Sequence, residues 1–190
     1  MGKIEVQTFD IEGPALITPK RFGDERGYFS ETWSRGDWAE AGLPPIDWVQ
    51  DNEAFSAAVG TTRGLHFQAP PSAQTKLLRA VQGEIFDVAV DIRKGSPTYG
   101  KSVSAKLTSE GGEQLFVPRG FAHGYQTLTP DTLVAYKCDG LYDPSTEGGL
   151  LWSDSDLDFE WPVTDDAKLS ARDEKWPVLA DLDSPFTEGA

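Results

Sequence analysis

Short apolar runs alternate with polar residues along most of the chain, and Gly and Pro interrupt them too often for a long helical period to develop. The alternation predicts strands over 15–18, 28–32, 74–81, 84–92, 101–108, 113–117, 122–127 and 132–138. Turn signals separate them: Gln82-Gly83, Lys94-Gly95-Ser96-Pro97, Gly111-Gly112, Pro118-Arg119-Gly120 and Thr129-Pro130. This rhythm of short strands and frequent turns predicts a mainly β chain, a sandwich or barrel, with few short helices. One helix is expected over 34–41, with Trp38 and Ala41 on one face and Gly42 as its stop. From about residue 152 the pattern changes to loops and turns punctuated by Trp152, Trp161-Pro162 and Trp176-Pro177. There is no internal repeat or linker, so residues 1–190 are expected to form one domain.

Period two also sorts side chains by face. Lys76, Leu78 and Ala80 share one face of the 74–81 strand, and Thr132, Val134, Tyr136 and Cys138 share one face of 132–138. A lysine and a tyrosine thereby fall in line with apolar neighbours, which is consistent with an inward position, although a strand-edge lysine snorkelling to water gives the same pattern.

Composition narrows the partners. The chain has 190 residues, enough to bury roughly 70% of its unfolded surface without metal or disulfide staples. Cys138 is the only cysteine, so the chain has no internal disulfide and fits a reducing compartment. Seventeen Lys and Arg against 31 Asp and Glu give a net charge of −14, which repels polyanions and argues against nucleic-acid and anionic-membrane binding. An anionic ligand therefore needs a local cluster of cations. The opening segment has acids where an apolar core would stand, and no run approaches the roughly 18 apolar residues of a membrane span, so a cytoplasmic location is expected.

Only two histidines are present, and each sits in a distinctive segment. His66 lies in Thr62-Arg-Gly-Leu-His-Phe-Gln68, in a turn ahead of a strand, and His123 lies in Val117-Pro-Arg-Gly-Phe-Ala-His123. The second segment resembles the Pro-x-Gly-x-x-His motif of cupin barrels, and the first stands where metal-binding cupins carry His-x-His followed by a Glu. Here Gln68 replaces the second His and Lys76 the Glu. A protonated ammonium neither ligates a divalent ion nor tolerates one beside it, so a metal-free site with a lysine charge in the metal's place is expected.

A larger set of segments then resembles one family. Asp24-Glu-Arg-Gly-Tyr-Phe-Ser-Glu31, Val49-Gln-Asp-Asn52, Arg63-Gly-Leu-His-Phe-Gln68, Gly83–Arg93, Gly95-Ser-Pro-Thr98, Gly120-Phe-Ala-His-Gly124 and Leu169-Ser-Ala-Arg-Asp173, in that order from about residue 10 to 180, resemble the dTDP-4-dehydrorhamnose 3,5-epimerases. The resemblance implies a cupin-type jelly-roll β-barrel, usually a homodimer that exchanges N-terminal segments. It implies cofactor-independent inversion of C3 and C5 in a dTDP-4-keto-6-deoxy sugar, by proton transfer next to the C4 ketone. On that pattern His66 is the base, Asp173 its hydrogen-bonding partner, Lys76 the cation facing the enolate oxygen and Tyr136 the acid on the opposite face. Arg63 and Arg26 are assigned to the diphosphate, Arg26 from the partner subunit. Gln50 and Asn52 are placed near the nucleotide, and Glu31, Gln68, His123, Arg119 and Tyr142 along the rest of the substrate pocket. Relatives that invert only C3 or only C5 share base and acid, so single inversion remains open. A non-catalytic nucleotide-sugar-binding cupin is a more distant alternative.

Overall fold

A computed structural model of the protein describes residues 3–189. The strands in chain order are β1 (Ile4–Thr8), β2 (Ala15–Pro19), β3 (Phe22–Asp24), β4 (Gly27–Phe29), β5 (Gln50–Ser56), β6 (Thr62–Gln68), β7 (Lys76–Gln82) and β8 (Glu84–Asp91). They continue with β9 (Arg93–Lys94), β10 (Ser102–Thr108), β11 (Gln114–Val117), β12 (Phe121–Thr127), β13 (Thr132–Cys138), β14 (Glu147–Gly149) and β15 (Phe186–Thr187). Two antiparallel sheets dominate, one in the order β1-β2-β11-β7-β13-β5 and one in the order β10-β8-β12-β6-β14. Facing each other, they make a cupin-type jelly roll.

Strand parity explains the layers. The inward residues Leu78, Ile85, Ala89, Val103, Leu107, Leu115 and Val134 form the core between the sheets, each Leu, Ile and Val contributing about 1.5–3 kcal/mol by its burial. The alternate residues of β8, namely Val88 and Val90, pack outward with Leu65, Ala122, Leu157 and Trp161, so the C-terminal segment covers that sheet. This second burial is why β8 reads as a nearly continuous apolar run. Over the other sheet, Ile17, Leu77 and Phe116 receive Trp38 from the single α-helix, α1 (Arg35–Glu40). Ser34 caps α1 by accepting from the Asp37 N–H, and Gly42 ends it at φ +74°. Trp38 is buried as expected, whereas Ala41 is an exposed cap residue and does not share its environment.

The eight expected strands are present except that 28–32 is shorter and differently placed. Tyr28 and Phe29 belong to β4, which folds back on β3 through a two-residue turn, and 30–32 leave the ladder because β3 offers no partner beyond Phe22. The strands outside the expected set include β1, whose Ile4 and Val6 do alternate with polar residues, and β5, β6 and β14, which carry no clear apolar alternation. His66 therefore lies inside a strand, not in a turn ahead of one. Among the described residues beyond 152 the chain holds loops and turns, an isolated bridge at Lys168, two short 3-10 segments and β15, as its loop-like composition predicts. Among the described residues no helix is long and apolar enough to cross a membrane.

Candidate active site

At one end of the sandwich the two sheets open into a cavity of about 460 Å³. The first sheet supplies it in register: Gln50, Cys138 and Lys76 stand opposite one another across β5, β13 and β7, and Asn52, Tyr136 and Leu78 form the adjacent row. The second sheet supplies His66 and His123, which are cross-strand partners on β6 and β12. The strands approach closely here because Gly64, at φ +129°, has no side chain; a Cβ there would meet the Gly124 backbone at 2.5 Å.

The third contributor is the C-terminal segment. Lys168 bonds to Gly60 and Thr62 across the start of β6. A 3-10 turn then carries Asp173 inward, where it is 3% exposed and places Oδ1 2.5 Å from Nε2 of His66. Burial alone would push this carboxyl up, but the bond and charge of His66, with Ser170 and Arg172, outweigh that and hold it below its ordinary value. Asp173 is thus ionised at neutral pH, so it accepts from Nε2–H and leaves Nδ1 of His66 as the basic nitrogen.

Lys76 is half-buried at the cavity wall. Desolvation lowers its pKa, and the acidic groups of Cys138, Asp87 and Glu147 oppose that shift. Tyr136, also half-buried, is pushed up by desolvation, with Cys138 adding and Arg63 opposing, so its phenol keeps its proton at neutral pH. A base with an oriented imidazole, a lysine amine and a protonated phenol surround one space. They can remove a proton, stabilise an oxyanion and return a proton.

At the mouth, Arg63 is exposed, with one amino group on the Phe55 carbonyl. Arg172 pairs with Glu147, which also accepts from the Tyr142 hydroxyl at 3.2 Å. Arg63, Lys76 and Arg172 therefore concentrate cations in a protein of net charge −14. Gln68 lines the cavity, yet its amide is occupied: it donates to the carbonyls of Ser72 and Leu141 and accepts from the Asp143 N–H, pinning the loop that carries Tyr142. Gln50 supports the same loop by accepting from the Tyr142 N–H, and its amide nitrogen donates to Asn52.

Three expected site residues lie away from the cavity of this chain. Arg26 sits at the tip of the β3–β4 hairpin paired with Asp24, Glu31 pairs with Lys3, and Arg119 pairs with Asp139 beside a different groove. Conversely, the sequence reading overlooks Asp87, Tyr125, Glu147, Ser170 and Arg172. Asp87 left a signal, an acid of the same parity as Ile85 and Ala89 in an otherwise apolar strand. Arg172 is adjacent to Asp173, whereas Glu147 stands in a Gly-rich stretch with nothing to mark it. Among the described residues no three His, Cys, Asp or Glu side chains converge as a metal cage.

Comparison with known proteins agrees with this geometry. The family model described as dTDP-4-dehydrorhamnose 3,5-epimerase matches residues 8–181. A curated enzyme of that name from Sinorhizobium fredii is 48% identical over 98% of this chain and 95% of its own. The crystal structure of the Bacillus anthracis enzyme with TDP and pyrophosphate bound superposes with a TM-score of 0.89 at 43% identity, covering 92% of this chain and 99% of that one. The Legionella pneumophila enzyme, in complex with dTDP-4-keto-L-rhamnose, gives 0.90 at 38% identity and covers 95% of both chains. The protein is an isomerase of the epimerase class on a cupin-type barrel. It belongs to the dTDP-4-dehydrorhamnose 3,5-epimerase family.

Proposed function

We propose that the protein inverts C3 and C5 of a dTDP-4-keto-6-deoxy sugar without a cofactor, in deoxysugar biosynthesis of the dTDP-L-rhamnose type. The observation that carries this reading is the convergence of the His66–Asp173 pair, Lys76 and Tyr136 on one cavity. The C4 ketone acidifies the neighbouring C–H bonds. Nδ1 of His66 takes the proton, the Lys76 ammonium meets the charge developing on the C4 oxygen, and Tyr136 delivers a proton to the other face of the carbon. Incubation with dTDP-4-keto-6-deoxyglucose in D₂O, followed by NMR, tests the reading. Deuterium and inversion at both C3 and C5 are expected. Label and inversion at one carbon only would make it a mono-epimerase, and no exchange would leave a binding protein.

Arg63, at the mouth, is assigned to the diphosphate, because a guanidinium fork matches phosphate oxygens in two-pronged geometry. Arg26 is assigned to the same group from a second subunit. In support, its hairpin holds Phe22, Tyr28 and Phe29, which are 45%, 60% and 64% exposed in the single chain. Such an aromatic ribbon is suited to burial against a second copy, in a homodimer that exchanges N-terminal segments. Arg63→Lys keeps the charge and loses the fork, so binding of dTDP-sugar should weaken by about 1–3 kcal/mol. An unchanged Kd would remove Arg63 from the site. Heterodimers of Arg26→Ala and His66→Ala subunits should regain one working site, and no recovery in verified heterodimers would count against the crossed arrangement.

A further inference from the structure

Beside the His66–Asp173 pair stands a second pair with the same wiring. His123, the cross-strand partner of His66, has Nε2 2.6 Å from Oδ1 of Asp87, which is fully buried. Nδ1 of His123 bonds to nothing among the described residues and is not one of the sealed, unpartnered atoms, so it is the nitrogen that meets the cavity. The pair is not needed to hold its strands together, because β8 and β12 are in continuous register from Asp91↔Phe121 to Ile85↔Thr127. A buried carboxylate with one oxygen unbonded is a costly way to fill a core.

We propose that Asp87 is a positioning residue for the reaction: bonded to Nε2 of His123, it fixes the tautomer that turns a bare Nδ1 toward the cavity, and its negative charge keeps the neighbouring Lys76 an ammonium. The proposal rests on the epimerase reading above, in which Lys76 must be charged to stabilise the enolate. Burial favours neutral His123, with Asp87 opposing and the charges of Lys76 and His66 adding to the lowering. The pair therefore carries a net negative charge. Were His123 protonated, the pair would be neutral and its field at Lys76 would largely vanish. The other groups facing Lys76 do not replace Asp87. Cys138 on β13 is pushed by burial to about 11 and is an uncharged thiol at neutral pH. Glu147 on β14 is already paired with Arg172, and β11 presents only Val117.

The tautomer is testable in the unmodified protein. Two-bond proton–nitrogen correlation spectra of ¹⁵N-histidine-labelled enzyme should show His123 neutral at neutral pH, protonated at Nε2 and bare at Nδ1. The opposite tautomer, or an imidazolium, overturns the proposal. Asp87→Asn keeps the shape and removes the charge. Its kcat should fall about 10²-fold or more, the scale seen when an Asp that fixes a histidine tautomer is neutralised, with KM nearly unchanged because Arg63 is untouched. The alkaline limb of its kcat profile should move to lower pH, since Lys76 then loses its proton sooner. A purely structural Asp87 would lower stability and leave that limb in place. Wild-type kcat, or an unmoved limb, overturns the proposal; if Asp87→Asn fails to fold, the histidine spectra decide. A His66→Ala enzyme that still exchanges deuterium sinks the epimerase reading, whereas a dead His66→Ala beside a fully active Asp87→Asn sinks only this inference.

Discussion

His66→Ala is expected to abolish both deuterium wash-in and inversion. In the proposed reaction His66 is the base, with Nδ1 left free by the Asp173 carboxylate on Nε2, so without it no proton should leave the sugar. A positioned base is worth about 10²–10⁴-fold, and since both carbons use it, loss at C3 and C5 should be equal. The backbone of β6 stays paired to β12 and β14 whatever the side chain, so the variant should fold normally. Asp173→Asn is the companion measurement: the geometry is nearly kept, but an amide can present its N–H to the ring and favour the wrong tautomer, so kcat should drop toward the His66→Ala level. Exchange into substrate at the wild-type rate in His66→Ala, followed by NMR in D₂O, would move the base elsewhere.

Tyr136→Phe is expected to separate exchange from inversion. The change deletes one hydroxyl from a half-buried ring on β13 whose raised pKa keeps that proton available as an acid. His66 and Lys76 remain, so the enolate still forms, and deuterium can return from the histidine side with retention of configuration. Inversion should fall by about 10²–10⁴-fold while wash-in persists at a larger fraction of the wild-type rate. Loss of exchange as complete as in His66→Ala, or inversion at the wild-type rate, would break the two-face assignment and turn attention to Tyr142, whose hydroxyl is tied to Glu147 at the mouth.

The local grammar of the chain determined the strands that are buried on at least one clear face. β13 has the expected bounds, 132–138, and β7, β8, β10, β11 and β12 lie within two residues of theirs, because alternation of apolar side chains is dictated by the pleat itself. The same periodicity set Lys76 and Tyr136 in line with apolar residues, and the partner strands then placed both at the cavity wall. Where strand identity comes from the neighbours instead, the sequence was silent. Gln-Asp-Asn-Glu-Ala-Phe-Ser of β5 and Glu-Gly-Gly of β14 become strands only because β13 and β6 present open edges to them.

The site divides along the same line. His66, Lys76, Tyr136 and Asp173 are legible as a set through the order of their motifs, but nothing local brings Asp173 to a histidine 107 residues earlier. That contact depends on the C-terminal segment binding the start of β6 through Lys168 and then turning inward, a long-range docking with no signature in composition. Glu147 likewise joined the cavity, and Asp87 met His123 beside it, only once strands distant in sequence were laid side by side. The sequence by itself put Lys76 and Tyr136 in line with apolar neighbours and set the order of the motifs, since strand parity and motif order are properties of the chain. Tertiary structure alone decided which carboxylate meets which imidazole, because hydrogen bonds act over a few ångströms and that distance is set by folding, not by position in the chain.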